Sequence, residues 1–258
     1  MRKIFFILGC LVASSSLYAL YNGNPSAPNI IDEGIFSCED QLIVFKAGYQ
    51  GDIVFDRKLR ARKGASGRMD RCEMGMNQGV ITLNLLDRFE VYGSVGAMSA
   101  FLTHRPHVDF QRREYQTGDQ LTWGTGARVV IVPFKNIDLG VEGGYQSAGP
   151  DVKWNAKDGV AYRTRAHFNY HEWQVGVGLS YHVDFLIPYF AVKYSNAQAK
   201  LSRIRPDILP NSSFKMNSRE HFGLALGCTL SNAKIFDLTA EVRLFDEQAI
   251  TLAGNLKF

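Results

Sequence analysis

Beyond residue 20 the chain has no uninterrupted apolar run approaching the eighteen or so residues that a membrane-spanning helix needs, so a helical membrane fold is excluded for that part. It has no Cys-x-x-Cys pair, no glycine-rich phosphate loop and no helical His-Glu-x-x-His, and so offers no cofactor or metal signature. Cysteine is scarce, with Cys10, Cys38, Cys72 and Cys228 the only four. Excess charge is also small: 29 lysines and arginines stand against 25 aspartates and glutamates, and a net +4 does not point to nucleic acid.

The first nineteen residues have the order of a secretory signal. Arg2 and Lys3 precede an apolar run from Ile4 to Ala13, and Leu17-Tyr18-Ala19 offers a cleavage site. The expected division is therefore a signal peptide over 1–19, a periplasmic N-terminal segment over 20–41 and the folded part over 42–258. Removing Cys10 with the signal leaves an odd set of three cysteines in an oxidising compartment. At least one of them is then unpaired or joined to another molecule, with Cys38 and Cys72 the candidates for an intermolecular disulfide.

What the mature chain has in abundance is alternation. Ile43, Phe45, Ala47, Tyr49 and Ile53 share one face against Lys46, Gly48, Gln50 and Asp52. Phe89, Val91, Val95, Ala97 and Phe101 oppose Glu90, Tyr92, Ser94 and Gly96, and Trp123, Ala127, Val129 and Ile131 oppose Gly124, Gly126 and Arg128. The pattern recurs around 137–146, 172–183, 187–201, 222–230, 236–244 and 250–258, and more weakly over 73–86. A helical period would drop charges into each apolar stripe. Period two with polar residues on one side is the signature of strands that meet hydrocarbon on the other.

The links support the same reading. Long polar segments at 56–72, 102–119, 149–167 and 202–217 alternate with tight connections at 86–88, 133–136, 184–186 and 231–234, as long outer loops alternate with short periplasmic turns in outer-membrane barrels. The 245–248 link is short although its parity is external. A soluble β-sandwich also alternates, but it does not account for glycines on the polar face or for the apolar alternation that ends in Phe258. The expected fold is all-β: a transmembrane antiparallel β-barrel of about 10 strands, with 12 as the alternative.

Several blocks, in order and across nearly the whole mature length, resemble the chlamydial major outer membrane protein family. They are Leu20-Tyr21-Asn22-Gly23-Asn24-Pro25, GYQGDIVFDR at 48–57, DRFEVYGSVGAMSA at 87–100, WGTGARV at 123–129, EWQVGVGLSYHV at 172–183, PYFAVKYSNA at 188–197, MNSREHFGLALGCTLSNAK at 216–234 and LTAEVRLFDEQAITLAGNLKF at 238–258. The chain is shorter than typical members and has one N-terminal cysteine where they have cysteine-rich segments. The resemblance implies a bacterial outer-membrane porin that passes small hydrophilic solutes, sits among outer-membrane lipid and lipopolysaccharide, forms homo-oligomers (trimers in the family) and joins other envelope proteins through disulfides.

For a pore, function lies on the polar faces of the strands. The pore-lining candidates are Lys46, Asp52, Glu90, Arg128, Asp138, Glu142, Glu172, Arg243 and Lys257; as buried opposite charges they would equally serve to plug a narrow lumen. Arg57, Lys58, Arg60, Arg62, Lys63, Arg68 and Arg71 form an external basic loop with only Asp56 and Asp70 against them, a cluster that attracts anions at a pore mouth, lipopolysaccharide phosphate or a sulfated polymer. A solvated surface loop is the plain alternative. His104, His107 and Asp109 lack a spacing that selects a metal, and His104, Asp109 and His221 lack one that selects a catalytic pair, so no enzyme and no cofactor is expected.

Overall fold

The computed structural model describes residues 21–31, 34–35, 42–62, 67–107, 109–206, 208–209, 212–232 and 234–258. Cys38 and Lys63 lie outside the described residues. Among the described residues, apart from a single 3-10 turn at Ala27–Asn29, the regular structure is strand: β1 (Ile43–Arg57), β2 (Leu59–Ala61), β3 (Gly67–Leu85), β4 (Phe89–Pro106), β5 (Arg113–Thr117), β6 (Gln120–Phe134), β7 (Ile137–Ala148), β8 (Val152–Lys157), β9 (Val160–Arg163), β10 (His167–Tyr181), β11 (Leu186–Ser202), β12 (Phe214–Ser218), β13 (Phe222–Ser231), β14 (Phe236–Leu244) and β15 (Glu247–Lys257).

Ten of these close a ring. The hydrogen-bonded order is β3-β1-β15-β14-β13-β11-β10-β7-β6-β4, and β4 returns to β3 through an antiparallel register that runs from Leu85↔Phe89 to Gly67↔Pro106. Closure leaves no edge, which is what allows a sheet to cross hydrocarbon with its backbone groups paired. At one end the strands meet in tight turns. Between β3 and β4 the turn residues Leu86 and Asp87 both take positive φ (57 and 49), the mirror-image geometry that matches the twist of a hairpin.

At the other end the wall continues as strand where the sequence suggested loops. On one side β4 extends past β6 to pair with β5, which pairs with β8 and β8 with β9; on the other, β11 extends to pair with β12, and β12 with β2. This collar accounts for the short external link at 245–248. β13, β14 and β15 stop low, and the β12–β2 pairing spans the gap above their turn.

The alternation expected from sequence sets the two faces. On β10, Trp173, Val175, Val177, Leu179 and Tyr181 are exposed on the outer wall, while Glu172, Gln174 and Ser180 are buried in the lumen. Rings sit at the upper edge of the apolar belt, as in Trp173–Tyr194 and Trp123–Tyr145, each 5.6 Å between centroids. The β3 segment read weakly in sequence because its inner face changes character half-way, from Cys72, Met74 and Met76 to Gln78, Thr82 and Asn84.

The lumen is filled in three layers. The external part holds an apolar core that includes Met74, Met98, Leu102, Phe168, Leu201 and Phe214, topped by Ile204, Ile208 and Leu209. The middle holds charges. The turn end is occupied by residues 21–31, with Ile30 and Ile31 packed on Ile187. That strap was assigned from sequence to a periplasmic segment; the structure threads it into the barrel, because the lower inner wall offers carboxylates and amides that its backbone can bond.

A charge on the outer wall should be costly in proportion to depth. Val177→Arg, at mid-belt, is expected to lose about 2–4 kcal/mol of stability and Asn169→Arg, beyond the aromatic ring, at most about 1 kcal/mol, measured by denaturant unfolding in lipid vesicles.

Candidate functional site

Alternation places one side chain in two on the inner wall, and in a ten-stranded ring the space is narrow enough for those side chains to meet across it. All nine pore-lining candidates are buried there, the most exposed being Arg128 at 8%. They fall into two ion networks and two anchors.

The lower network joins β1, β4, β6 and β7. Lys46 Nζ contacts Glu90 Oε1 at 2.5 Å, and Arg128 reaches Glu90 Oε2 at 3.3 Å and Glu142 Oε2 at 3.1 Å. Tyr92 donates its hydroxyl to Glu142 at 2.7 Å, and its ring lies 5.3 Å from the Arg128 guanidinium. The enclosed space among Tyr21, Lys46, Glu90 and Arg128 is about 30 Å³, room for one or two waters.

The upper network is denser. Arg243 contacts Asp52 at 3.0 Å, Glu241 at 3.0 Å and Glu247 at 2.9 Å. Arg57 contacts Glu172 at 2.6 Å and Asp246 at 2.8 Å, and Lys193 bridges Asp246, at 3.2 Å, and Glu247. None of these charges reaches solvent, so each depends on the others for compensation.

Two of these residues correct the sequence reading. Arg57 is not part of an external basic loop: β1 continues through it, a register shift between Val54 and Asp56 reverses the alternation and turns it inward, and its side chain is fully buried among acids. Cys72 is not available for an intermolecular disulfide, because it is 1% exposed within the external apolar core; Cys72 and Cys228 are free thiols, the latter half-buried on the outer wall. Sequence reasoning also left out Lys193, Glu241, Asp246 and Glu247. Lys193, Glu241 and Glu247 share the inward parity of β11, β14 and β15, a signal that was present; Asp246 sits in the β14–β15 turn, where alternation gives no direction.

The remaining candidates anchor the strap. Asp138 accepts from Asn29 Nδ2 at 2.9 Å and contacts His182 at 2.7 Å, while Lys257 donates to the Ile31 carbonyl at 2.6 Å. Further up, the backbone N–H groups of Asn22 and Gly23 donate to the two oxygens of Glu241 at 3.1 and 2.9 Å, and Asn24 donates to Thr229 at 2.9 Å. Gly23 has φ +82, and a Cβ there would fall 2.4 Å from Arg128 Nη2, so glycine is what lets the strap pass beneath that guanidinium.

The outer histidines do not converge. His104 is buried and stacked on Phe214 at 4.6 Å; His107 packs edge-on to Phe110 at 5.5 Å; Asp109 pairs with Arg113 at 2.6 Å; His221 stacks on Tyr194 at 5.4 Å on the outer wall. A His–Asp contact that sequence did not single out, His167–Asp151 at 2.8 Å, lies exposed on the collar, where hydrogen bonds from His167 and Gln120 hold the Asp151 carboxyl below its usual range. Of the other basic-loop residues, Lys58 contacts Asp56 at 2.6 Å, Arg68 and Arg105 share Asp70 at 3.1 and 2.6 Å, Arg71 contacts Glu73 at 2.8 Å, and Arg60 and Arg62 are exposed.

A closed ring with an apolar outer belt, aromatic residues at its upper edge and a polar middle lumen defines a transmembrane β-barrel of the outer-membrane type. Known proteins narrow this further. The model of the Chlamydia major outer membrane protein family matches residues 139–213. A major outer membrane porin of Chlamydia pneumoniae is 26% identical over 370 aligned positions, covering 94% of this chain and 95% of the relative, and that of Chlamydia trachomatis serovar F is 24% identical, covering 99% of each. An outer membrane channel from Pseudomonas putida F1 is 9% identical with a TM-score of 0.41, covering 88% of this chain and 100% of the other. The chain is thus similar to the chlamydial major outer membrane porins along nearly its whole length; the 370 aligned positions against its 258 residues mark insertions that it lacks.

Because Arg243 sits among three carboxylates with no solvent, Arg243→Ala is expected to cost about 3–5 kcal/mol by leaving Asp52 and Glu241 without a cationic partner, while Glu247 keeps Lys193. Arg68→Ala, whose side chain is exposed, should cost less than about 1 kcal/mol. Denaturant midpoints of the two variants against wild type check this.

Proposed function

We propose that the protein is an outer-membrane porin-like barrel that allows passive diffusion of small hydrophilic solutes, with the 21–31 strap setting how far its lumen is open. The observation that carries the reading is the polarity of the middle lumen. Buried ion networks are often less stabilising than apolar packing of the same volume, so a barrel needed only as a solid pillar has little reason to keep them. A charged wall, by contrast, is what a water-filled path requires. The strap is suited to control such a path: much of its hold is through hydrogen bonds to Glu241, Thr229, Asp138, Asn84 and Lys257, partners that water can replace. The porin names of relatives that align over nearly the whole chain support the same reading and the outer-membrane location. Assembly into homo-oligomers belongs to it, as does an envelope disulfide, which with Cys72 buried falls to Cys38.

A second reading, a non-conducting barrel that stiffens the envelope or displays its collar, is favoured by the external apolar core, in which Ile204, Ile208 and Leu209 close the lumen over Met74, Leu102 and Phe168.

Planar-bilayer recording separates the two. Wild type is expected to give small, brief openings, and a variant lacking residues 21–31 larger and longer ones, with Gly23→Val, which forces the strap off Arg128, in between. Silence of all three, with each shown to be folded by its compact gel mobility, establishes the second reading instead.

A further inference from the structure

The outer wall carries a cationic patch that the lumen reading does not use. Above the aromatic edge formed by Trp173, Tyr194 and Phe222, the outward positions of β11, β12 and β2 turn polar and then basic. Gln198 pairs across to Asn217 and Asn217 to Arg60, and one rung higher Lys200 stands directly opposite Lys215. Arg62 joins them, its backbone N–H bonded to the Lys215 carbonyl at 2.9 Å. Lys200, Lys215, Arg60 and Arg62 are all exposed.

Like charges directly opposite one another across two strands oppose pairing. The barrel contains a second such rung, Arg68 opposite Arg105 on β3 and β4, and there the cost is met internally, since both guanidinium groups bond Asp70. Lys200 and Lys215 have no such mediator: among the described residues, no carboxylate lies within ion-pair distance of these lysines or of Arg60 and Arg62. A rung that lacks its own anion, beside one that has it, is a place for an anion from outside.

Its height says which kind. Lys200 is six residues beyond Tyr194, and at a rise of ~3.3 Å per residue and a tilt of roughly 40° that is roughly 15 Å above the aromatic edge. Acyl chains end below that level, whereas the sugars of a glycolipid headgroup reach it. We propose that Lys200, Lys215, Arg60 and Arg62 form a docking site for the phosphorylated sugar headgroup of an outer-leaflet glycolipid, with Asn169, Gln198 and Asn217 as neighbouring hydrogen-bonding groups. The site lies on the lipid-facing side of the barrel and is independent of whether the lumen conducts.

The test uses the full chain folded into three kinds of vesicle: phosphatidylcholine alone, phosphatidylcholine with diphosphoryl lipid A, and phosphatidylcholine with dephosphorylated lipid A. The readout is the temperature at which the barrel loses its compact gel mobility. Diphosphoryl lipid A is expected to raise it by roughly 5 °C, and the dephosphorylated form to leave it unchanged. Arg60→Gln, Lys200→Gln and Lys215→Gln combined should abolish the rise. Arg68→Gln, Arg71→Gln and Arg105→Gln combined should keep it, as should the conservative pair Lys200→Arg and Lys215→Arg. Every variant is first shown to fold in phosphatidylcholine. The proposal is overturned if wild type shows no rise, if the first triple variant keeps it, or if inorganic phosphate or heparin added to phosphatidylcholine vesicles produces the same rise without lipid A.

Discussion

Hydrocarbon on one side of a single-layered wall forces every other decision in this molecule. A backbone group in that medium has no water to fall back on, so the strands must close, and closure at ten strands fixes the width of the space inside. Once the outer positions are given to apolar side chains, period two leaves only the inner positions for charge. A narrow interior then obliges those charges to meet one another. The two networks, Lys46–Glu90–Arg128–Glu142 and Arg57–Glu172–Asp246–Lys193–Glu247–Arg243–Asp52, are thus a consequence of the wall as much as a feature of function.

The three lumen layers divide the work. Apolar side chains under the collar supply burial that the lipid-facing belt cannot, since that belt remains exposed to hydrocarbon in the folded state. The ionic middle fixes which strands face which, because Arg243 satisfies acids from β1, β14 and the β14–β15 turn region at once. The strap closes the turn end through bonds to wall residues of both networks, Glu241 holding the N–H groups of Asn22 and Gly23 while it also pairs with Arg243. A displacement of the strap would therefore alter the charge balance of the lumen and not merely its width.

Most of the wall was legible in the sequence, since alternation needs only local information: strand number, outer faces and all nine inward candidates can be read from it. What was not legible has no such period. The strap is a short polar segment, Asn22-Gly23-Asn24-Pro25-Ser26, whose destination depends on Glu241 more than two hundred residues away. The collar strands β2, β5, β8, β9 and β12 are only three to six residues long, too short for alternation to register, so they read as loops, and the register shift before Arg57 made it read as one of their surface charges. β3 read weakly because its inner face passes from the apolar layer into the polar one, and Cys72 could be placed only once that apolar layer was seen.

The central claim is that even and odd positions along each barrel strand meet different media. Spin labels placed one at a time along β10 and β11, on a cysteine-free background in lipid vesicles, test it most directly through their relaxation by oxygen, which concentrates in hydrocarbon, and by a water-soluble nickel chelate. Labels at 173, 175, 177 and 179 should respond to oxygen and not to nickel, and those at 174 and 180 should lack the oxygen response. Equal oxygen response at both sets, or nickel access at the first, would contradict the account.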